Sequence, residues 1–206
     1  MPDLSLWISE PLVQALLVAV LSYLLGSVPF GLVLTHLAGL GDIRAIGSGN
    51  IGATNVLRTG KKSLALATLF LDGIKGAVAV LLIRDAQLQE WSMLAAAAAF
   101  LGHLFPLWLR FQGGKGVATL VGLLAVVFWP AALAFIGIWL GTAYFFRYSS
   151  LSALVASVAM PPILLAFSSG SEALVFAFLV GLVWLRHRAN IARLWAGTES
   201  KIGEKA

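Results

Sequence analysis

Long apolar runs recur along this 206-residue chain, and a run of about 20 apolar residues is what an α-helix needs to cross the hydrocarbon core of a bilayer. Residues 12–34, 64–83 and 91–109 supply three such runs. Residues 116–146 are too long for one crossing, and Trp129-Pro130 in the middle predicts a tight turn between two short spans. Residues 151–167, interrupted at Pro161-Pro162, and residues 173–185 bring the total to seven. With 60% hydrophobic and 11% charged residues, the chain lies far from the soluble average of roughly 45–50% and ~25%. The fold expected is all-α, a polytopic integral membrane protein with seven transmembrane helices, organised as one membrane-embedded domain over residues 1–206.

Charge orients the bundle. The loop at 41–63 carries Arg44, Arg58, Lys61 and Lys62, and the tail carries Arg186, Arg188, Arg193, Lys201 and Lys205. The positive-inside rule places both on the cytoplasmic side. One follows the first span and the other the last, so they share a side only for an odd number of spans, as seven is. The N-terminus is then expected outside and the C-terminus in the cytoplasm, with Arg110, Lys115 and Arg147 also inside and Arg84 the one basic residue of an outer loop. Asp3 and Glu10, with no basic residue ahead of the first run, do not make a signal-peptide n-region, so that run is expected to be retained. The net charge of +5 fits membrane orientation; no basic tract with interleaved aromatics suggests nucleic acid. Absence of cysteine excludes disulfides, thiolate nucleophiles and cysteine metal sites.

Polar chemistry is concentrated in a few stretches. "GSGNIGATN", residues 47–55, matches G-x-G-x-x-G, but a dinucleotide fingerprint needs a preceding strand, a following helix and an acid about 20 residues on. Here the glycines lie between spans and Asp72 falls inside an apolar one, so NAD binding has no structural support. What survives is the physics: closely spaced glycines bring backbone N–H groups near an anion. Ser48, Asn50, Thr54 and Asn55 add neutral donors and acceptors, and Arg58 adds charge. "FQGGKGVAT", residues 111–119, sets Gly113, Gly114 and Lys115 just ahead of an apolar helix, where a phosphate is favoured. It lacks the Walker A spacing, which argues against ATP hydrolysis.

"RHRANIARL", residues 186–194, read as one helix, places His187 and Asn190 on a shared face beside Arg186. Within a span, Asp72 and Lys75 are spaced i, i+3, a pairing expected for charges buried in lipid. Lys75 is a candidate substrate-binding residue and equally a structural ion-pair partner. His103, ahead of Pro106, is expected to be structural, satisfying a backbone carbonyl near the kink.

Taken together and in order, "GSGNIGATN" followed by Arg58, "GGKGVAT" and "RHRANIARL" closely resemble the three cytoplasmic motifs of the bacterial acyl-phosphate-dependent glycerol-3-phosphate acyltransferases, the PlsY family. The similarity extends to the length, the "LDGIKG" span and the "RYSSL" loop. It implies a seven-helix enzyme of the inner membrane with its active site on the cytoplasmic face. The activity implied is transfer of a fatty acyl group from acyl phosphate to the sn-1 hydroxyl of glycerol 3-phosphate, giving lysophosphatidate and inorganic phosphate at the first acylation step of phospholipid synthesis.

Carried over residue by residue, Ser48, Lys115, His187 and Asn190 are the expected catalytic residues. Arg58, Asn50, Thr54, Asn55, Lys75, Gly113, Gly114 and Ser150 are the expected substrate-binding residues, with Gly113 and Gly114 as backbone donors to the acyl phosphate. No metal and no cofactor are expected. The bilayer and the two substrates are the expected partners, with transient contact to the enzyme that makes acyl phosphate. The H-x-x-x-x-D dyad of the other membrane class is absent, because Gly41, Trp108 and Ala192 stand five residues after His36, His103 and His187. No sequence signature supplies an orienting acid for a Ser48–His pair, so direct transfer is expected over an acyl-Ser48 intermediate. A transporter for an organic phosphate is the alternative, but no internal repeat supports it and the polar motifs sit at one face instead of mid-depth.

Overall fold

A computed structural model describes residues 10–204; Asp3 and Lys205 lie outside them. Among the described residues the chain is helical throughout, with no strand. Helix α1 (Pro11–Gly26) and α2 (Phe30–Leu37) form one apolar unit of 27 residues, broken where Pro29 removes a backbone donor. A short α3 (Ala53–Leu57) precedes α4 (Lys62–Asp85), and α5 (Ser92–Leu104) follows. Next come α6 (Val117–Val127) and α7 (Trp129–Phe146). The helix breaks at Phe128, whose φ of −151° is not helical, and Pro130 falls in the first turn of α7, where a missing N–H does no harm. Then α8 (Ser149–Val158) and α9 (Met160–Phe167) make a 19-residue unit, Pro161 and Pro162 again sitting in a first turn. Last are α10 (Gly170–Arg186) and α11 (Arg188–Trp195), bent by 58°.

Among the described residues five units are long and apolar enough to cross a membrane, or six when the bent α10–α11 pair is taken as one span. Helix α6 has 11 residues, about 16 Å of rise, and is shorter than a full crossing. Its length follows from where it starts. Gly122 packs against the carbonyl of Gly73 and Gly76 against Thr119, so α6 begins beside the middle of α4. The two run in the same direction, and Arg84 at the far end of α4 donates to the carbonyl of Val126 at 2.7 Å. The loop ahead of α6 therefore dips into the bundle, setting Lys115 well below the first turn of α4.

Small residues hold the helices at close range, as membrane bundles require in the absence of a hydrophobic driving force between them. Helix α5 is central: Ala95, Ala96, Ala98 and Ala99 are buried, and a Cβ on Gly26 or Gly102 would lie 1.9 Å from the Ala99 carbonyl oxygen or 2.2 Å from that of Tyr23. Phe100, Leu120, Leu123, Leu124, Phe135, Met160 and Phe176 fill the main core. Helix α7 is peripheral and turns Leu133, Ile136, Leu140, Tyr144 and Phe145 outward.

Candidate active site

Four segments meet at the end of the bundle opposite Arg84. They are the 47–58 loop, the 113–116 loop, the start of α8, and the α10–α11 elbow with the tail beyond it. Contacts between them fix the assembly. Thr54 Oγ1 lies 3.3 Å from Ser149 Oγ, and the Arg58 guanidinium donates to the Ser200 hydroxyl. Lys115 Nζ donates to Asn190 Oδ1 at 2.6 Å. Arg186 donates to the carbonyls of Gly113 at 2.7 Å and Gly114 at 3.1 Å.

The first loop is built around Asn55. Buried at the start of α3, its amide donates to Ile43 O at 2.8 Å and Ile46 O at 3.2 Å, while its oxygen accepts the Ser48 N–H at 3.1 Å. Gly47 takes φ +54°, and a Cβ there would lie 2.5 Å from Asn55 Oδ1 and 2.7 Å from both Cδ and Nη1 of Arg58. This glycine clears the path of the arginine. Ser48 is exposed at the rim with its hydroxyl 3.4 Å from Asn55 Oδ1, and the Asn50 amide packs beside Gly52.

Gly113 and Gly114 play another part than the one expected of them. Their N–H groups donate to Leu104 O and His103 O, both at 3.0 Å, and their carbonyls hold Arg186. With both backbone groups engaged, neither glycine offers a free N–H to a phosphate here. The donors this loop leaves available are the Lys115 ammonium and the first-turn N–H groups of α6, which no side chain caps. Of the two roles open to Lys75 the geometry supports the structural one, since its ammonium meets Asp72 Oδ1 at 2.8 Å, Val28 O at 2.7 Å and the Phe30 ring. The imidazole of His103 satisfies no carbonyl through Nδ1, which has no hydrogen-bond partner and faces Asp72 Oδ1 at 3.7 Å.

His187 and Asn190 do not share one continuous helix. The chain bends at His187, whose Nδ1 lies 2.8 Å from Val183 O. A carbonyl only accepts, so Nδ1 carries the hydrogen and Nε2 is left as the accepting nitrogen. Both residues are buried.

Glu199, which no motif pointed to, organises the far wall. Its Oε1 accepts from Ser150 Oγ and Asn190 Nδ2, and its Oε2 from Arg193 Nε, each at 2.6 Å. Burial raises this carboxyl's pKa, but these three donors outweigh it and hold the group below the usual carboxylate range. On the other side of Asn190, burial pushes the Lys115 ammonium down to about 8; Glu199 opposes the shift, while Arg193, Arg186 and Arg58 reinforce it. One carboxylate thus stands among Lys115, Arg58, Arg186 and Arg193. That surplus of positive charge, at the mouth of an apolar bundle, suits an anionic ligand with an apolar tail.

A family model described as glycerol-3-phosphate acyltransferase matches residues 16–197, a range that takes in all three polar stretches. The chain belongs to the glycerol-3-phosphate acyltransferase family. It is 60% identical over 186 residues to the glycerol-3-phosphate acyltransferase of Rhodopseudomonas palustris strain BisB5, covering 90% of this chain and 95% of that one. With the enzyme of Nitrobacter winogradskyi it shares 58% identity over 184 residues, 89% and 94% of the two chains. Its fold is similar to the crystal structure of PlsY (YgiH), an integral membrane glycerol 3-phosphate acyltransferase, in the glycerol 3-phosphate form, with a TM-score of 0.86 at 36% identity over 92% of this chain and 96% of that one. The lysophosphatidic acid form of PlsY superposes with a TM-score of 0.85. The protein is a multi-pass bacterial membrane acyltransferase of phospholipid synthesis. The one sequence signal for Glu199 is a carboxylate set within a basic tail, a signal that Glu204 shares.

Proposed function

We propose that this acyltransferase uses acyl phosphate as donor and acylates the sn-1 hydroxyl of glycerol 3-phosphate, releasing inorganic phosphate. The observation that carries the reading is the cluster of Lys115, Arg58, Arg186 and Arg193 around one carboxylate, because both substrates carry a phosphate. Lys115 and the first turn of α6 neutralise the phosphate that departs, and Arg58, with Ser48 and Asn50 on its loop, takes the phosphate of glycerol 3-phosphate. Asn190 and Ser150, tied to each other through Glu199, shape the wall between them, as Thr54 does at the α8 side and Asn55 within the first loop.

Acyl phosphate is already activated, so positioning and charge stabilisation supply most of the catalysis. The glycerol oxygen attacks the acyl carbon, the bond from that carbon to the phosphate oxygen breaks, and phosphate leaves. The hydroxyl proton passes to Nε2 of His187 or to a phosphate oxygen. No acyl-enzyme forms.

We read the chain as one domain of seven crossings in the inner membrane, with the N-terminus outside and the site facing the cytoplasm. Counting α6 as a crossing is supported by Lys115 at one of its ends and the Arg84–Val126 bond at the other. Purified full-length protein given acyl phosphate and glycerol 3-phosphate should release phosphate only when both are present. Uptake of glycerol phosphate into liposomes without reaction would overturn this reading in favour of a transporter.

A further inference from the structure

Beneath the 113–116 loop lies a polar cluster that the chemistry above does not use. Asp72, Lys75 and His103 are all buried within the bundle. Lys75 Nζ joins Asp72 Oδ1 at 2.8 Å to Val28 O at 2.7 Å, in the break between α1 and α2. The same Asp72 oxygen faces His103 Nδ1 at 3.7 Å. The backbone carbonyl of Asp72 accepts from Thr119 Oγ1 at 2.8 Å, and Thr119 stands four residues beyond Lys115 in the second half-turn of α6. His103 closes the circuit: its carbonyl accepts the Gly114 N–H at 3.0 Å, and its Nε2 occupies the space 2.1 Å from where a Gly114 Cβ would be. Four segments of the chain are thereby tied to one point directly under Lys115.

A merely cohesive role is poorly served by such a cluster. An ion pair inside an apolar bundle is costly, and packed apolar residues of similar volume hold helices together as well or better. What the polar groups add is direction. The Thr119 bond sets the rotation of α6 about α4, and the His103 ring and carbonyl set the height of Gly114. Since α6 carries the first-turn N–H groups and the loop carries Lys115, both anion donors of this wall inherit their positions from the cluster. Arg58 and Asn55, on the opposite wall, are fixed by separate bonds to Ile43, Ile46 and Ser200.

We propose that Asp72, Lys75, His103 and Thr119 are positioning residues for the acyl-phosphate half of the site, setting the Gly113–Lys115 loop and α6 without touching either substrate. The proposal rests on the donor assignment above, and it makes an asymmetric prediction. Disturbing the cluster at Thr119 or His103 should weaken use of acyl phosphate and leave glycerol 3-phosphate recognition in place, because these two residues bond to α6 and the 113–116 loop and not to the 47–58 loop.

Thr119→Val removes the bond to Asp72 and keeps the side-chain shape, Thr119→Ser keeps the bond, and His103→Gln alters the support under Gly114. For each full-length variant, kcat/KM for acyl phosphate, KM for glycerol 3-phosphate, Tm in detergent and affinity for a long-chain acyl phosphonate are measured beside wild type. Thr119→Val and His103→Gln should lower kcat/KM for acyl phosphate and phosphonate affinity by about tenfold or more. KM for glycerol 3-phosphate should stay within about twofold, and Thr119→Ser should restore the wild-type values. A folded Thr119→Val with unchanged phosphonate affinity overturns the proposal, as does an equal rise of both KM values or a lowered Tm with normal kinetics. Wild type inactive with acyl phosphate but binding the phosphonate would refute the function reading alone, and the phosphonate series would still decide the role of the cluster.

Discussion

Lys115 gives the reaction a pH dependence that can be worked out from its surroundings. In the free enzyme burial brings its pKa down to about 8, so the ammonium is about nine-tenths protonated at pH 7 and only about one-tenth at pH 9. If the charged form receives the acyl phosphate, kcat/KM for that substrate should fall roughly tenfold for each unit above pH 8, since this parameter reports the free enzyme. The limb in kcat should lie at higher pH, because a bound phosphate favours the ammonium. Denaturation through this group does not imitate the effect. Its folded pKa lies below the unfolded value near 10.5, so the unfolded chain binds more protons between those values and the contribution of Lys115 to stability rises with pH across that window. Lys115→Arg keeps a charge at every accessible pH and should lose the falling limb, though its longer fork lowers the plateau. Lys115→Ala should be down roughly a thousandfold, from about 4 kcal/mol of attraction at about 4 Å with an effective dielectric of ~20. The assay is initial phosphate release at subsaturating acyl phosphate from about pH 6 to about 10, corrected for the rate without enzyme. A level wild-type profile, or the same limb in Lys115→Arg, refutes the assignment.

Glu199→Gln removes the carboxylate that opposes the shift at Lys115, so the same limb should move to lower pH in that variant, read from the same profile. Gly47→Ala and Gly49→Ala both place an alanine at positive φ, a strain of about 1–2 kcal/mol, but only the first drives a methyl to 2.5 Å from Asn55 Oδ1 and 2.7 Å from Arg58, the second meeting nothing nearer than 3.4 Å. KM for glycerol 3-phosphate should therefore rise several-fold more in Gly47→Ala than in Gly49→Ala. Direct transfer predicts no covalent adduct, so mass spectrometry during turnover should find Ser48 unacylated; a trapped acyl-Ser48 overturns the mechanism. Gly26→Ala, whose methyl would sit 1.9 Å from the Ala99 carbonyl oxygen, should lower stability in detergent by about 1–3 kcal/mol, whereas Gly137→Ala and Gly141→Ala, with no neighbour in reach, should leave Tm nearly unchanged.

The apolar runs were legible because lipid imposes a length and a composition that hydropathy measures directly, and the break before α7 was legible because Trp129-Pro130 names its own cause. The bend at His187 was not: "RHRANIARL" holds no proline or glycine, and the break is attended by tertiary bonds, Arg186 to the 113–114 carbonyls and His187 to Val183. Glu199 was hidden for a similar reason, since Ser150 lies 49 residues away from it in sequence and charge alone does not name a partner. The glycines are the instructive case. Their spacing correctly signals close approach, but a missing Cβ does not say what approaches. Gly47 makes room for Arg58, and Gly114 for the ring of His103. In both loops the neighbour admitted is another part of the protein. In the proposed function the glycine-rich stretches are therefore the frame of an anion site whose binding groups are mainly side chains, Arg58 on one wall and Lys115 on the other. A purely backbone nest would be indifferent to their charge, and the pH profile of Lys115→Arg separates the two designs.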